Sequence, residues 1–463
     1  MESLRETGDR YRLIVTRRNA SEILLLPSGT GWALPQVEIH PQQRIVEQLT
    51  TSVCKAWGIE AYCLFVPASL NSDRDGEEKC AVMESVRHNG KAPARSCWMP
   101  PAAAIGYRDA SETALIRQSL DELNSYTKGE KAAPFARPGW LRELFTWTQE
   151  QVALLGLRVT GGFRQLNASP TFSLIRLETG DGAVWFKATG EPNSHELLIS
   201  LALARLFPSH VPRIVGVHPS WNGWLSSEVL GTSLDQVADC STWERAAEEL
   251  AELQIASIGK GKELLEAKCK DLRIPKLVEL IGPFLARMAE FMAAQEKQSP
   301  APLAASELAS LREGLEEACL LLDGFGLPDT IGHIDFNPGN ILVSEDRCIF
   351  LDWAEGCVTN PVVTLEYLRQ HLERSALREP RAAGRLISAY LRPWKTFYSP
   401  DDLRRALILS SPVALFVYAV ASSSWRSSDS VHNPTLAGYF RSLTRRMYRE
   451  AIQAAERSEL CVD

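Results

Sequence analysis

The 463-residue chain has no excess of basic residues: 50 Lys and Arg stand against 57 Asp and Glu, a formal net charge of −7. An acidic chain lacks the broad cationic surface that phosphate backbones need, so nucleic acid is not an expected partner. The basic cluster Arg445, Arg446 and Arg449 reads as a solvated helix face. CxxC pairs are absent, and the 10 cysteines are scattered. That spacing excludes a ribbon-type metal site. In a chain long enough to do without disulfides, it points to reduced thiols and a cytoplasmic location. No apolar run approaches the length of a membrane span. The charged opening MESLRETGDRYR has no apolar segment of a signal peptide. No membrane partner is expected. Internal repeats and low-complexity tracts are also lacking. With 45% hydrophobic and 23% charged residues, the composition is that of a globular protein of two or three domains.

What is present falls into segments. Residues 1–128 mix short apolar runs, at 12–16 and 22–26, with a helical pattern from Gln43 to Trp57 that stops at Gly58. The stretch 128–139, KGEKAAPFARPG, reads as a linker, and a helix follows over about 140–155. Residues 158–230 are strand-rich. The runs 171–177 and 183–187 flank Glu178-Thr179-Gly180-Asp181-Gly182, a hairpin signal because Asp-Gly tolerates the positive φ of tight turns. A helix is expected from about Ser194 to Phe207, then strands at 213–217 and 224–229. From Trp243 to the end the pattern is dominantly helical, with Leu250, Leu253 and Ile258 on one helix. A short hairpin, Ile341-Leu342-Val343 with Ile349-Phe350-Leu351, interrupts it.

That island carries the chemistry. Ile331 to Trp353 reads IGHIDFNPGNILVSEDRCIFLDW. Phosphoryl transfer needs little covalent help: charge neutralisation on phosphates, aligned oxygens, and a carboxylate near the attacking hydroxyl. His333-x-Asp335 supplies the carboxylate. Asn340 and Asp352 supply oxygen ligands of the hardness Mg2+ prefers. Upstream, Lys187 ends a strand where an ammonium can reach phosphates. Glu196 opens the next helix and suits either an ion pair with Lys187 or a capping box with Asn193 as cap. Gly161 to Ser169 is a candidate phosphate-covering loop, and Ser227-Glu228-Val229 sits where backbone groups could meet an adenine edge.

These residues make the chain resemble the aminoglycoside phosphotransferase and choline kinase group of small-molecule kinases over about 158–440. The matching pieces are Val159-Thr160-Gly161-Gly162-Phe163, Trp185-Phe186-Lys187, Glu196, Val211-Pro212-Arg213, the run Glu249 to Gln254, His333 to Val343, and Leu351-Asp352-Trp353. The resemblance implies an α+β, bilobal protein-kinase-like fold, with a β-rich N-lobe at 158–230 and a helical C-lobe at 231–463. It implies ATP or GTP and Mg2+ as cofactors, and a small-molecule acceptor. Asp335 and His333 would be catalytic. Lys187, Glu196, Ser169, Glu228 and Val229 would bind nucleotide, and Asn340 and Asp352 would bind metal. The chain departs from the family pattern at Ile334, usually glycine, and at Thr364, where a second aspartate usually stands. The acceptor is unread; Glu355 and Glu366 would suit an amine-bearing one or be solvated helix carboxylates. The rival reading is a non-catalytic binding or scaffold protein.

The first 128 residues resemble a Nudix α/β/α domain through Trp32-Ala33-Leu34-Pro35, a helix, and Gly58-Ile59. At the register of that family's metal-binding glutamates stand Thr51-Ser52-Val53-Cys54-Lys55-Ala56, without one carboxylate. The resemblance implies a scaffold without hydrolase activity, for docking, homodimerisation or support of the N-lobe.

Overall fold

Alternating apolar residues along Asp9–Arg17 bury both faces of one sheet. Leu13 and Val15 enter one hydrophobic cluster and Ile14 another, the two-sided pattern of a covered sheet. The computed structural model describes residues 8–29, 31–40, 43–67, 79–88, 96–105, 110–129, 133–375, 377 and 379–459. The first seven residues of the charged opening and residues 130–132 of the expected linker lie outside this set. The described residues divide into two units. One comprises residues 1–197 and 213–228, the other 198–212 and 229–463.

The first unit holds two sheets. The first has seven strands: five run in the order Gly31–Ala33, Glu22–Ser28, Asp9–Arg17, Lys79–His88, Ile59–Phe65, while Gln36–Ile39 pairs with Asp9–Arg17 and Cys97–Met99 with Glu22–Ser28. Asp9–Arg17 and Lys79–His88 are parallel and the other neighbours antiparallel. The helix Ile45–Trp57 buries Val46, Leu49 and Val53 on one face. Gly58, at φ 64°, ends it in the left-handed conformation, its N–H bonded to Cys54 O. The opposite face packs Ile14, Leu25, Tyr62 and Val82 with Trp140 and Leu144 of the helix Trp140–Ala153. Phe186 and Leu225 of the second sheet share that cluster.

The second sheet is a five-stranded antiparallel one, ordered Ile214–His218, Gly223–Ser227, Gly182–Ala188, Ser173–Thr179, Val159–Ala168. The expected hairpin is there, with Thr179 opposite Gly182 and Gly182 at φ 92°. Gln165 joins the two sheets. Its amide donates to Cys63 O at 2.9 Å and accepts from Cys63 N at 2.8 Å, as one more rung on an edge strand. Arg164 adds an ion pair to Glu47 at 3.1 Å. The two sheets thus share one core.

The second unit is helical. Cys240–Ala256, Ile274–Ala293, Ala305–Gly324, Val362–Arg374, Ala382–Trp394, Pro400–Ala421 and Pro434–Glu459 surround a core that includes Leu250, Phe284, Leu315, Leu368, Phe416 and Phe440. Leu250 and Leu253 are buried as expected, but Ile258 lies past the helix end and is exposed. Contrary to the expectation of no span-length apolar run, Pro400–Ala421 is long and apolar enough to cross a membrane, yet its apolar window is 72% buried. Leu403, Val413, Phe416 and Val420 enter the helical core, which accounts for its apolarity. Two small sheets complete the unit. Thr232–Ser233 pairs with the hairpin Ile341–Val343 and Cys348–Phe350, and Lys270–Leu272 and Thr330–His333 flank Gly356–Thr359. The described cysteines are all free thiols. Burial pushes those of Cys63, Cys80, Cys269, Cys319 and Cys348 up to about 12.

Candidate active site

In the first unit, Lys187 sits one residue from the end of Gly182–Ala188, and its Nζ meets Glu196 Oε1 at 2.5 Å. Glu196 is 2% exposed and opens the helix Glu196–Leu206, its own N–H bonded to Asn193 O at 3.0 Å. The ion pair ties the start of this helix to the sheet. The strand register shows which loop shares that end. Lys187 stands opposite Leu174, Leu174 opposite Asn167, and Ala168 opposite Ser173. The turn at Lys187's end of the sheet is thus Ser169–Phe172. Ser169 Oγ shapes it, accepting the N–H of Phe172 at 2.9 Å.

The expected phosphate loop at Gly161–Ser169 is corrected by this register. Gly161 and Gly162 lie inside the strand Val159–Ala168, at the end where Val159 faces Thr179. A Cβ on Gly162 would come within 2.1 Å of Glu178 Oε2, and Gly161 has φ +95°. The glycines serve a strand irregularity and a close approach. Glu228 is likewise committed as a side chain. Arg176 grips it through Nε at 2.5 Å and Nη2 at 2.9 Å, and Trp185 Nε1 donates at 3.3 Å. The Arg176 hydrogen bond holds its carboxyl below the usual range. Only its backbone carbonyl is left for a ligand, since its N–H donates to Ala183 O at 3.2 Å. Val229 is the residue at which the second unit resumes.

In the second unit, His333 ends the strand Thr330–His333. Its backbone N–H donates to Thr364 Oγ1 at 3.1 Å, and Ile334 N–H donates to Glu355 O at 3.1 Å. The departures at Ile334 and Thr364 now have physical roles. Ile334 is 4% exposed and fills the helical core, while Thr364 satisfies a buried donor. Asp335 then emerges exposed. Asn337 Nδ2 donates to Asp335 Oδ1 at 3.2 Å, while Asn337 Oδ1 accepts Gly339 N–H at 2.9 Å. Asn340 Nδ2 donates to Asp335 O at 3.1 Å, so its amide oxygen is not spent there. Ile341 pairs with Phe350, and Leu351 N–H donates to Asn340 O at 2.8 Å. This ladder brings Asn340 beside the chain just before Asp352, which is exposed at φ 62°.

His333 is corrected from a catalytic to a positioning residue. It is 1% exposed, packs its ring 4.9 Å from Trp353, and places Nε2 3.1 Å from Leu351 O. Burial holds its pKa below the ordinary histidine value, so the ring is neutral and Nε2–H donates. Nδ1 is buried without a partner. Sequence reasoning missed Asn337, although Asn-Pro-Gly is a turn signature, and it missed the role of Thr364, whose partner lies 31 residues away. The two carboxylates considered for an amine-bearing acceptor are both engaged. Glu355 pairs with Lys270. Glu366, 2% exposed, accepts Arg369 Nε and Nη2 at 2.7 Å each and Gln370 Nε2 at 2.8 Å.

Burial also depresses His210 and His371. For these three groups the unfolded chain takes up protons first. Their contribution to stability is complete above the ordinary histidine value of about 6.5 and is lost as pH falls through it. The melting temperature should therefore drop between pH 7.5 and 5.5, and His333→Gln should flatten the drop; identical slopes in both proteins would contradict the assignment.

The protein thus presents oxygen-donor groups, an exposed carboxylate on an amide-braced loop, and a lysine–glutamate pair. Residues 192–395 match the family model described as APH, the phosphotransferase enzyme family. The matched stretch, less than half of the chain, is similar to that family. No curated protein matches it. Among solved structures, macrolide 2'-phosphotransferase MphH from Brachybacterium faecium is similar at 18% identity, covering 63% of this chain and 98% of that one, with a TM-score of 0.43. Ethanolamine kinase from Plasmodium vivax is similar at 16% identity, covering 74% and 97%, with a TM-score of 0.45. Choline kinase LicA from Streptococcus pneumoniae is similar at 13% identity, covering 68% and 99%, with a TM-score of 0.40.

Proposed function

We propose that the chain is a small-molecule kinase that transfers the γ-phosphoryl group of ATP or GTP to an acceptor hydroxyl. The observation that carries this is the arrangement at Asp335. Its carboxylate is exposed, oriented by the Asn337 amide, and flanked by Asn340 on the strand ladder that leads into Asp352. In the reaction the acceptor oxygen forms a bond to the γ-phosphorus and its proton passes to Asp335. The bond from phosphorus to the bridging oxygen breaks, and nucleoside diphosphate leaves. Lys187, held by Glu196, supplies a cation for phosphate oxygens. Asn340 and Asp352 fit Mg2+, because both offer oxygen and Asn340 has already spent its amide nitrogen on Asp335 O. Bound there, Mg2+ would neutralise phosphate charge.

The first sheet of the N-terminal region is read as a Nudix-like scaffold without hydrolase activity, supporting the five-stranded sheet. The Gln165–Cys63 clamp and the shared core favour support over independent docking. The test is ATP or GTP consumption with Mg2+ across hydroxyl acceptors: amino alcohols, aminoglycosides, sugars, nucleosides and hydroxy acids. Acceptor-dependent consumption is expected; none with any acceptor would favour a binding protein.

A further inference from the structure

The helix Val362–Arg374 begins at the catalytic strand and runs away from it. Thr364 holds the His333 backbone. His371, two turns on and about 10 Å along the axis, lies within electrostatic reach of Asp335 and of Arg374. The end of the helix carries an unusual charge arrangement. Gln370 is 6% exposed, and its orientation is fixed because its Nε2 donates to Glu366 Oε1 at 2.8 Å. Its Oε1 therefore faces the other way, where it accepts Arg374 Nη2 at 3.0 Å and Arg446 Nη2 at 2.8 Å. Two guanidinium groups thus converge on one neutral oxygen.

No described carboxylate forms an ion pair with either of them. Glu366 and Glu373 belong to Arg369, and Glu450 accepts Ser411 Oγ at 2.9 Å. Neither Arg374 nor Arg446 has an ion pair among the described residues, whereas many surface arginines in this acidic chain do. Arg446 was expected on a solvated helix face. Instead it is half-buried and reaches Gln370, while Arg374 is exposed. Like charges brought this close repel, and an anion lying between them would relieve the repulsion. Guanidinium forks match carboxylate and phosphate oxygens with several donors at once. Arg374 is one turn past His371, the residue that feels the Asp335 carboxylate. A molecule with its hydroxyl at Asp335 could extend along this helix face.

We propose that the acceptor carries an anionic group, a carboxylate or a phosphate ester, which Arg374 and Arg446 bind together. The proposal rests on the phosphoryl-transfer reading above and narrows its acceptor to an anionic hydroxy compound. It sets aside the amine-bearing acceptor, whose candidate carboxylates Glu355 and Glu366 are already paired.

The experiment compares acceptors that differ in one group, using the full chain with ATP and Mg2+: glycerol, glycerate and glycerol 3-phosphate; glucose, gluconate and glucose 6-phosphate; and ethanolamine as a cationic control. Turnover is expected with a carboxylate or a phosphate member, and the two arms tell which. Its kcat/KM should exceed that of the neutral counterpart by roughly 10–100-fold, the range one charge-assisted hydrogen bond supplies. Arg374→Gln and Arg446→Gln should each raise KM for that acceptor by a similar factor and change kcat much less. A purely structural role would lower kcat and melting temperature together and leave acceptor preference intact. Preference for neutral or cationic acceptors, or turnover with no anionic one, overturns the proposal. Failure of the underlying kinase reading looks different: Mg2+ and nucleotide then give no thermal shift with any variant.

Discussion

Asp335→Asn should lower kcat by about 10²–10⁴-fold, the usual contribution of a positioned general base, while the thermal shift on adding Mg2+ and nucleotide persists. The reason is local. The Asp335 backbone carbonyl accepts Asn340 Nδ2, and that bond does not involve the side chain being changed. The Asn337 amide can still donate to the oxygen of an asparagine, as it does to Asp335 Oδ1 at 3.2 Å. The loop should hold its shape and lose only the proton acceptor. Single-turnover assays on the best acceptor, with nucleotide binding followed by melting temperature, separate these effects. Turnover retained within a few-fold of wild type would remove Asp335 from the chemistry. Loss of nucleotide binding along with turnover would make it a structural residue.

Glu196→Ala should be the most damaging change in the first unit. Glu196 is 2% exposed and the Lys187 side chain 16%, so removing the carboxylate takes the anion of this ion pair away from a mostly buried ammonium. Breaking one partner of a buried pair typically costs about 3–5 kcal/mol. The Trp224 ring, 5.9 Å from Nζ, is too weak a cation–π partner to replace a carboxylate. Lys187 should lose its position, and the nucleotide KM should rise by tenfold or more, about 1.4 kcal/mol per decade. The double variant Lys187→Met, Glu196→Leu is the control. It replaces the pair with apolar groups and should recover most of the stability but none of the nucleotide affinity. Recovery of both would mean that the pair only braces the sheet.

How far the sequence revealed this site depended on the distance between partners. Asn340, the short hairpin and Asp352 were legible because fewer than twenty residues and strong turn signals define them. Lys187 and Glu196 were legible as a strand end and a helix start, although the choice between cap and ion pair needed three dimensions. His333 was misplaced as catalytic because burial is a property of the fold: the same imidazole exposed would suit acid–base work. Gly161-Gly162 misled for a related reason. Glycine marks loops and strand irregularities alike, and only the register shows that Ser169–Phe172 is the turn at Lys187's end. The partnership of the first region with the five-stranded sheet was invisible. It rests on Gln165 meeting Cys63 across 102 positions and on apolar residues that any core could hold. Arg446 shows the same limit, since its partner Gln370 lies 76 residues away on another helix.

Phosphoryl transfer can be measured directly. ATP carrying a labelled γ-phosphate is incubated with the full chain, Mg2+ and the hydroxyl-acceptor panel, and the label is followed into product. Label is expected on an acceptor hydroxyl, dependent on Mg2+ and lost with Asp335→Asn. A clear Mg2+-dependent thermal shift with ATP, but label transferred to no acceptor, would contradict the kinase reading and leave a nucleotide-binding protein in its place.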